Sequence, residues 1–226
     1  MHPRRNIFPY VWRAAALTAV FSSGIVWVFV SGPQWRAFGV YASVLSFFHL
    51  SEFVAIAVIK PRSLRPDSFL LNHSREYHVA AVASWIEFGV EALLFPGLKN
   101  WHWITGLGLA VCLTGEFIRK LAMFTAGSNF SHAVEYRKER GHMLVTKGVY
   151  SLWRHPSYAG WFYWSIGTQI ILLNPICLIG YTLAAYDFFR QRIRDEEQIL
   201  IEFFGDDYVE YKRRVTASGI PFLRVE

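Results

Sequence analysis

From residue 37 to residue 59 the chain reads AFGVYASVLSFFHLSEFVAIAVI, a run holding one acidic side chain, Glu52, and no basic one. As a helix it would rise about 34 Å at 1.5 Å per residue. That spans a hydrocarbon core of ~30 Å, which needs about 20 mostly apolar residues and roughly 17 as a lower limit. Working outward, the runs 14–30, 79–95 and 101–118 also meet the limit. Two shorter runs, 158–173 and 176–189, are joined by the turn-forming pair Asn174-Pro175 and read as a short helical hairpin. Partial burial in protein or a thinned bilayer would accommodate their length. The expected fold is therefore all-α, a polytopic membrane protein of about six transmembrane helices. Composition agrees: 53% of residues are hydrophobic and 18% charged, with the apolar ones in blocks rather than in a soluble protein's periodic pattern.

The basic residues give an independent reading of topology. With the N-terminus cytosolic, six spans leave segments 1–13, 60–78, 119–157 and 190–226 on the cytosolic side. These hold 3, 4, 7 and 7 Lys or Arg, or 21 of the 23 in the chain; Arg36 and Lys99 alone fall on the other side. This is the asymmetry of the positive-inside rule, and shifting the span count by one would scramble it. The same distribution explains the net charge of +6. Basic residues flanking membrane segments favour anionic lipid as partner and argue against nucleic acid.

The chain reads as one integral membrane domain, 1–226. Residues 1–118 carry four helices, and 119–226 carry a long polar loop, the hairpin and a charged tail. A charged helix over 190–204 should continue the last membrane segment and end at Gly205. Its Ile199, Leu200, Phe203 and Phe204 offer an apolar side for packing on the loop or the membrane surface. Cys112 and Cys177 lie in membrane segments and read as small apolar packing. No small-residue cleavage site follows the first apolar run, so no cleavable signal peptide is expected. The sequons at Asn72-His73-Ser74 and Asn129-Phe130-Ser131 fall in cytosolic loops and should go unused.

Three polar groups are candidates for chemistry. The densest is His142 to Tyr150 followed by Arg154-His155-Pro156-Ser157-Tyr158, just before a span. It reads equally as the anchor of a helix start, with proline in the first turn and Trp153, Trp161 and Trp164 as an interface belt. The second is Arg190, Arg192, Arg194, Asp195, Glu196 and Glu197. Arg192 and Glu196 share a helix face, either as a weak surface pair worth under about 1 kcal/mol or as a site for an anion and a cation. The third is Glu52, Glu87, Glu91 and Glu116 within the spans, where hydrogen bonding to neighbouring helices or placement near the interface is favoured over a catalytic role. Gly106, Gly108 and Gly115 suit close helix packing rather than a nucleotide loop. The histidines show no HxxxH pair, with His73 and His78 five apart, and no metal is expected.

Several stretches then resemble the isoprenylcysteine carboxyl methyltransferases: Asn72 to Ala81 with Trp85-Ile-Glu-Phe88, Gly148-Val-Tyr150, Arg154-His-Pro-Ser-Tyr158, and Gly160-Trp-Phe-Tyr-Trp-Ser-Ile-Gly-Thr-Gln169. The likeness continues through Asn174-Pro-Ile-Cys177, Phe188-Phe-Arg-Gln-Arg192, Glu196-Glu197, Phe203-Phe-Gly205, Tyr208 to Lys212 and Gly219-Ile-Pro-Phe222. The Arg-His-Pro-x-Tyr motif with two acidic residues is shared with phospholipid methyltransferases and some sterol reductases; the Gly160–Gln169 run is more specific. The resemblance implies methylation of the C-terminal carboxylate of farnesylated or geranylgeranylated proteins, small GTPases of the CaaX type among them. It also implies S-adenosylmethionine as donor, S-adenosylhomocysteine as product, and the endoplasmic reticulum as location, both termini cytosolic. By resemblance the donor would lie against Glu135, His142, Met143, Leu144, Val145, Tyr150, His155, Pro156, Ser157, Tyr158 and Glu196, and Arg192 would hold the acceptor carboxylate as the catalytic group. Glu135 stands where a related member has glutamine and can accept but not donate a hydrogen bond. Arg194 replaces an acidic residue beside Glu196. Six spans would also be fewer than the animal members carry.

The implied chemistry suits these residues. The α-carboxyl, with a pKa of ~3.5, is already an anion at pH 7, so no general base is required. A guanidinium can clamp it at two points. A lipid methyltransferase with an amine acceptor is the nearest alternative and would have little use for Arg192. A non-catalytic membrane scaffold would need neither Arg192 nor Glu196.

Overall fold

The computed structural model describes residues 6–72, 74–138 and 141–223. His73, with its sequon and histidine spacing, and the terminal residues 224–226 lie outside the described residues. Seven α-helices form, and no strand occurs among the described residues: α1 Phe8–Val30, α2 Arg36–Ile59, α3 Arg75–Leu94, α4 His102–Ala126, α5 Pro156–Leu172, α6 Pro175–Phe204 and α7 Asp206–Arg214. The all-α expectation holds. Helices α1 and α2 are long and apolar enough to cross a bilayer on composition alone. Many large apolar side chains, including Phe29, Leu93, Leu94, Ile179 and Leu183, face outward as hydrocarbon contact would require.

Helix ends follow local chemistry. Pro9, Pro156 and Pro175 sit in first turns, where a missing N–H costs nothing. Ser74 caps α3 by accepting the Tyr77 N–H at 3.2 Å. Gly205 stops α6 in a left-handed conformation, φ 56°. The 176–189 segment and the charged 190–204 stretch form one 30-residue helix, α6. At ~45 Å by helical rise, it outreaches a bilayer core. Two boundaries differ from the sequence reading. Helix α1 begins at Phe8, six residues early, with Arg13 turned back onto the Pro9 carbonyl. Helix α4 runs on to Ala126, so Arg119 and Lys120 are helical rather than the start of the loop.

The chain divides into two compact units, Met1–Leu109 with Gly167–Cys177, and Ala110–Ile166 with Leu178–Glu226. In the first, α1 and α2 meet at Gly24 and Gly39. A Cβ on either would stand 2.6–2.7 Å from the other's carbonyl oxygen, so only glycine permits the approach. Phe53 stacks on Phe69 at 4.1 Å. His49 is buried, with ring nitrogens 2.8 Å from the Phe69 carbonyl and 3.1 Å from the Tyr77 hydroxyl. Lys99, which the sequence presents only as a flanking charge, is fully buried. Its ammonium reaches Glu91 at 2.5 Å, the Leu172 and Leu173 carbonyls at 2.8 and 2.9 Å and Asn174 Oδ1 at 3.1 Å, tying down the α5–α6 turn. Glu87 accepts the Ile176 and Cys177 N–H groups, both at 2.7 Å, where a carboxylate offsets the positive end of α6. Glu87 and Glu91 thus hydrogen-bond to neighbouring segments, the reading favoured from sequence.

Candidate active site

The second unit builds its site at the polar ends of its helices. Close approach of α4 and α5 comes first: a Cβ on Gly115 would lie 2.5 Å from the Gly160 carbonyl oxygen and 2.7 Å from the Trp164 nitrogen. That contact sets Arg119 beside the start of α5, where its guanidinium donates to the Ser157 hydroxyl at 2.9 Å and lies 4.8 Å from the Trp161 ring. The turn before α5 is held from the other side by the C-terminal segment. Arg154 N–H donates to the Ala217 carbonyl at 3.0 Å and His155 N–H to that of Ser218 at 3.1 Å. Gly219, at φ +103°, packs so that a Cβ would meet Ala159 at 2.8 Å.

Beneath this turn lies a buried charge cluster. Glu197, 2% exposed, accepts from Arg154 Nε at 2.7 Å, lies 3.0 Å from His155 Nε2 through the same oxygen, and forms an ion pair with Lys212, 3.0 Å from its other oxygen. Burial alone would push its carboxyl pKa up; the hydrogen bonds and charges of His155 and Arg154 outweigh burial and bring it down to about 2. Arg154 also donates to the Val215 carbonyl at 2.7 Å. Helix α7 adds Tyr208 and Tyr211, which form a small core with Val215 against Leu144, Leu200 and Phe204. Burial raises the Tyr211 pKa to about 12, and its hydroxyl donates to the Tyr150 carbonyl at 2.6 Å. Burial and then the Glu197 charge raise Tyr208 as well, so both phenols stay protonated at pH 7.

Above the cluster opens a pocket lined by Ala126, Asn129, Phe130, Ser131, His142, Met143, Leu144, Val145, Tyr150, Arg154, His155, Pro156, Ser157, Tyr158, Glu196, Leu200, Phe204, Tyr208 and Tyr211. Ten of the eleven residues named for the donor from sequence are there together. Glu135 is not; it sits half-buried in the loop outside this lining. The loop is pinned to the rim. Asn129 Oδ1 accepts the Met143 N–H at 2.8 Å, His142 stands edge-on to Phe203 and Phe204, and Lys138 donates to the Phe203 carbonyl. The apolar side expected for the tail helix is thus used against the loop. Arg192 lies outside the lining yet adjoins it: its Nε donates to the Tyr158 hydroxyl at 2.9 Å, and that hydroxyl donates to Glu196 Oε2 at 2.5 Å. A hydroxyl therefore joins Arg192 to Glu196.

The sequence marks Arg154 and Glu197 within candidate clusters without pairing them, and it gives Tyr208 and Tyr211 no place in a candidate cluster. The i, i+3 spacing of the two tyrosines in a polar helix was the available signal for a buried face. The Tyr208 hydroxyl is the notable group, since it is buried against the pocket and makes no hydrogen bond among the described residues. A buried hydroxyl without a partner costs about 1–3 kcal/mol, and a polar ligand in the pocket would relieve it. The pocket has a carboxylate, Glu196, for a cationic group, a loose phenol donor, and an apolar and peptide wall from 142–145. That donor set fits a small polar ligand that carries a cationic group and a hydrogen-bond acceptor.

An all-helical chain with this outward-facing apolar surface, a polar pocket and an arginine one hydroxyl away from it combines a membrane-type exterior with a ligand-binding site. The profile of the isoprenylcysteine carboxyl methyltransferase (ICMT) family matches residues 107–202, from within α4 to within α6. The chain is 52% identical over 216 residues to the protein-S-isoprenylcysteine O-methyltransferase of Tribolium castaneum, covering 96% of this chain and 76% of that protein. It is 53% identical over 212 residues to the Homo sapiens protein of that name, covering 94% and 74%. A solved structure of the eukaryotic intramembrane Ras methyltransferase ICMT superposes with a TM-score of 0.95 at 50% identity, covering 98% of this chain and 79% of that one. The chain belongs to the isoprenylcysteine carboxyl methyltransferase family and is a methyltransferase.

Proposed function

We propose that this enzyme transfers a methyl group from S-adenosylmethionine to the C-terminal α-carboxylate of prenylated cysteine, farnesyl or geranylgeranyl, in CaaX-type substrates such as small GTPases. The observation that carries the reading is the line from Arg192 through Tyr158 to Glu196, which sets a cation for the acceptor beside the pocket that suits the donor. When bound, S-adenosylmethionine supplies an electrophilic methyl on a sulfonium, with S-adenosylhomocysteine as leaving product. Glu196 and the loose Tyr208 hydroxyl would bind its polar groups, with His142 to Val145, Tyr150 and His155 to Tyr158 forming the walls. Glu135 would assist only by a movement of the loop that bears it. Arg192 holds the acceptor carboxylate, which is ionised at pH 7 and needs no base. Its role is orientation and removal of water from the nucleophile, which alignment rewards strongly. The prenyl chain would enter sideways from the bilayer between apolar helices, so the membrane provides access more than affinity.

The distribution of basic residues favours a cytosolic face, against anionic lipid, for both termini and the pocket, and family likeness favours the endoplasmic reticulum. A single integral membrane domain running 1–226, with 1–118 carrying four membrane helices and 119–226 the donor-binding loop, the helical hairpin and the charged tail, is the division we favour. The test is transfer of labelled methyl to N-acetyl-S-farnesylcysteine and to its carboxamide by purified enzyme in lipid. Base-labile ester on the acid and none on the amide is expected. Labelling of an amine-headed lipid in place of the acid would instead assign a lipid methyltransferase.

A further inference from the structure

Arginine offers five N–H donors on two edges. Nε and Nη2 form the side edge; Nη1 and Nη2 form the end edge. In Arg192 the side edge is taken: Nε donates to the Tyr158 hydroxyl at 2.9 Å and Nη2 to the His132 carbonyl at 2.5 Å. Nη1 makes no hydrogen bond among the described residues. The Tyr158 hydroxyl has one proton, and it is given to Glu196 at 2.5 Å, so towards Arg192 it can only accept. Its ring cannot swing away. It stacks on His155, with centroids 5.7 Å apart and planes 6° from parallel, and lies 5.4 Å from Phe189. His155 is in turn fixed by Glu197.

We infer that Tyr158 is a positioning residue that decides which edge Arg192 presents. The side edge is locked by the Tyr158 hydroxyl and the His132 carbonyl, and the acceptor carboxylate docks end-on, across Nη1 and Nη2. This rests on the reading of Arg192 as the carboxylate clamp. The consequence is directional. A guanidinium free to offer either edge would hold a carboxylate in two orientations, whereas one locked edge leaves a single approach. The same hydroxyl ties the clamp to Glu196, so the acceptor's orientation is referenced to the wall of the donor pocket.

The test is steady-state kinetics of Tyr158→Phe with N-acetyl-S-farnesylcysteine, with S-adenosylmethionine binding measured separately by equilibrium dialysis. The ring and its stacking are kept, and thermal unfolding checks that the variant folds. Losing a hydrogen bond to a charged group should raise the acceptor KM by about tenfold or more at saturating donor, the separately measured donor affinity setting the concentration that saturates each variant. Lysine has no edges to choose between, so in an Arg192→Lys background the same substitution should change the acceptor KM by less than about twofold. An unchanged acceptor KM in Tyr158→Phe, or a rise that persists undiminished in the Arg192→Lys background, overturns the assignment. If Arg192→Lys and Arg192→Ala themselves leave acceptor kinetics untouched, the clamp reading fails, and the edge assignment falls with it.

Discussion

Replacing Glu197 with alanine should destabilise the second unit more than any other single change at an acidic position there. In the folded protein this carboxylate is the shared acceptor of Arg154 and His155 and the counter-charge of Lys212, with the Glu197 and Arg154 side chains 2% exposed and that of His155 4%. Removing it strands a buried guanidinium edge, a kind of change that costs about 3–5 kcal/mol. A second route gives a similar size: a carboxyl held at about 2 against its ordinary 4.5 favours the charged state by about 3 kcal/mol. For a chain of this length that corresponds to a fall in Tm of about 6 °C or more. The assay is thermal unfolding in nanodiscs followed by a thiol-reactive dye, which reports exposure of buried Cys112. The pH dependence has a fixed sign. The folded pKa lies below the unfolded one, so the contribution is complete above about 4.5 and is lost as pH falls towards 2. The gap between wild type and Glu197→Ala should therefore narrow across that window. A Tm within about 2 °C of wild type near pH 7, or a gap that widens on acidification, would refute the reasoning.

Two further outcomes follow from close contacts. Gly115→Leu should abolish correct folding or activity, because its Cβ would stand 2.5 Å from the Gly160 carbonyl oxygen and no flexible side chain is there to yield; protease resistance of the α4–α5 region reads this out. Lys99→Met should cost about 2–4 kcal/mol by leaving Glu91 and the Leu172 and Leu173 carbonyls without their donor, measured by thermal unfolding. Adding Glu91→Gln should recover part of that loss.

How much was readable in advance depended on distance along the chain. Blocks such as 37–59 announce helices because a bilayer selects for unbroken apolar length, and α2 starts and ends within a residue of the expected run. The end of α4 was hidden for the complementary reason. Arg119 and Lys120 break the apolar block, yet Arg119 is buried because Ser157 and the Trp161 ring receive it. No local pattern shows that a partner lies 38 residues away. The burial of Lys99 was hidden in the same way, as its carbonyl partners are 73 and 74 residues distant. At the site, the Arg154–Tyr158 and Arg192–Glu197 motifs marked the right stretches, but not that Tyr158 bridges Arg192 and Glu196 or that Glu197 faces inward. Adjacent glutamates on one helix point about 100° apart, and sequence alone does not say which one is buried. Glu135 was placed by likeness to a motif, and its loop sets it aside from the pocket lining.

The proposed reaction depends on a carboxylate acceptor held by Arg192 next to an intact donor pocket. Its most direct measurement is methyl ester formation on N-acetyl-S-farnesylcysteine by Arg192→Ala at saturating S-adenosylmethionine, with donor binding determined on the same sample. Ester formation reduced by at least about a hundredfold with donor affinity preserved is the predicted result, since a lost charge-assisted fork is worth about 3 kcal/mol or more. Wild-type transfer by the variant, or loss of donor binding that accounts for all of the deficit, would contradict it.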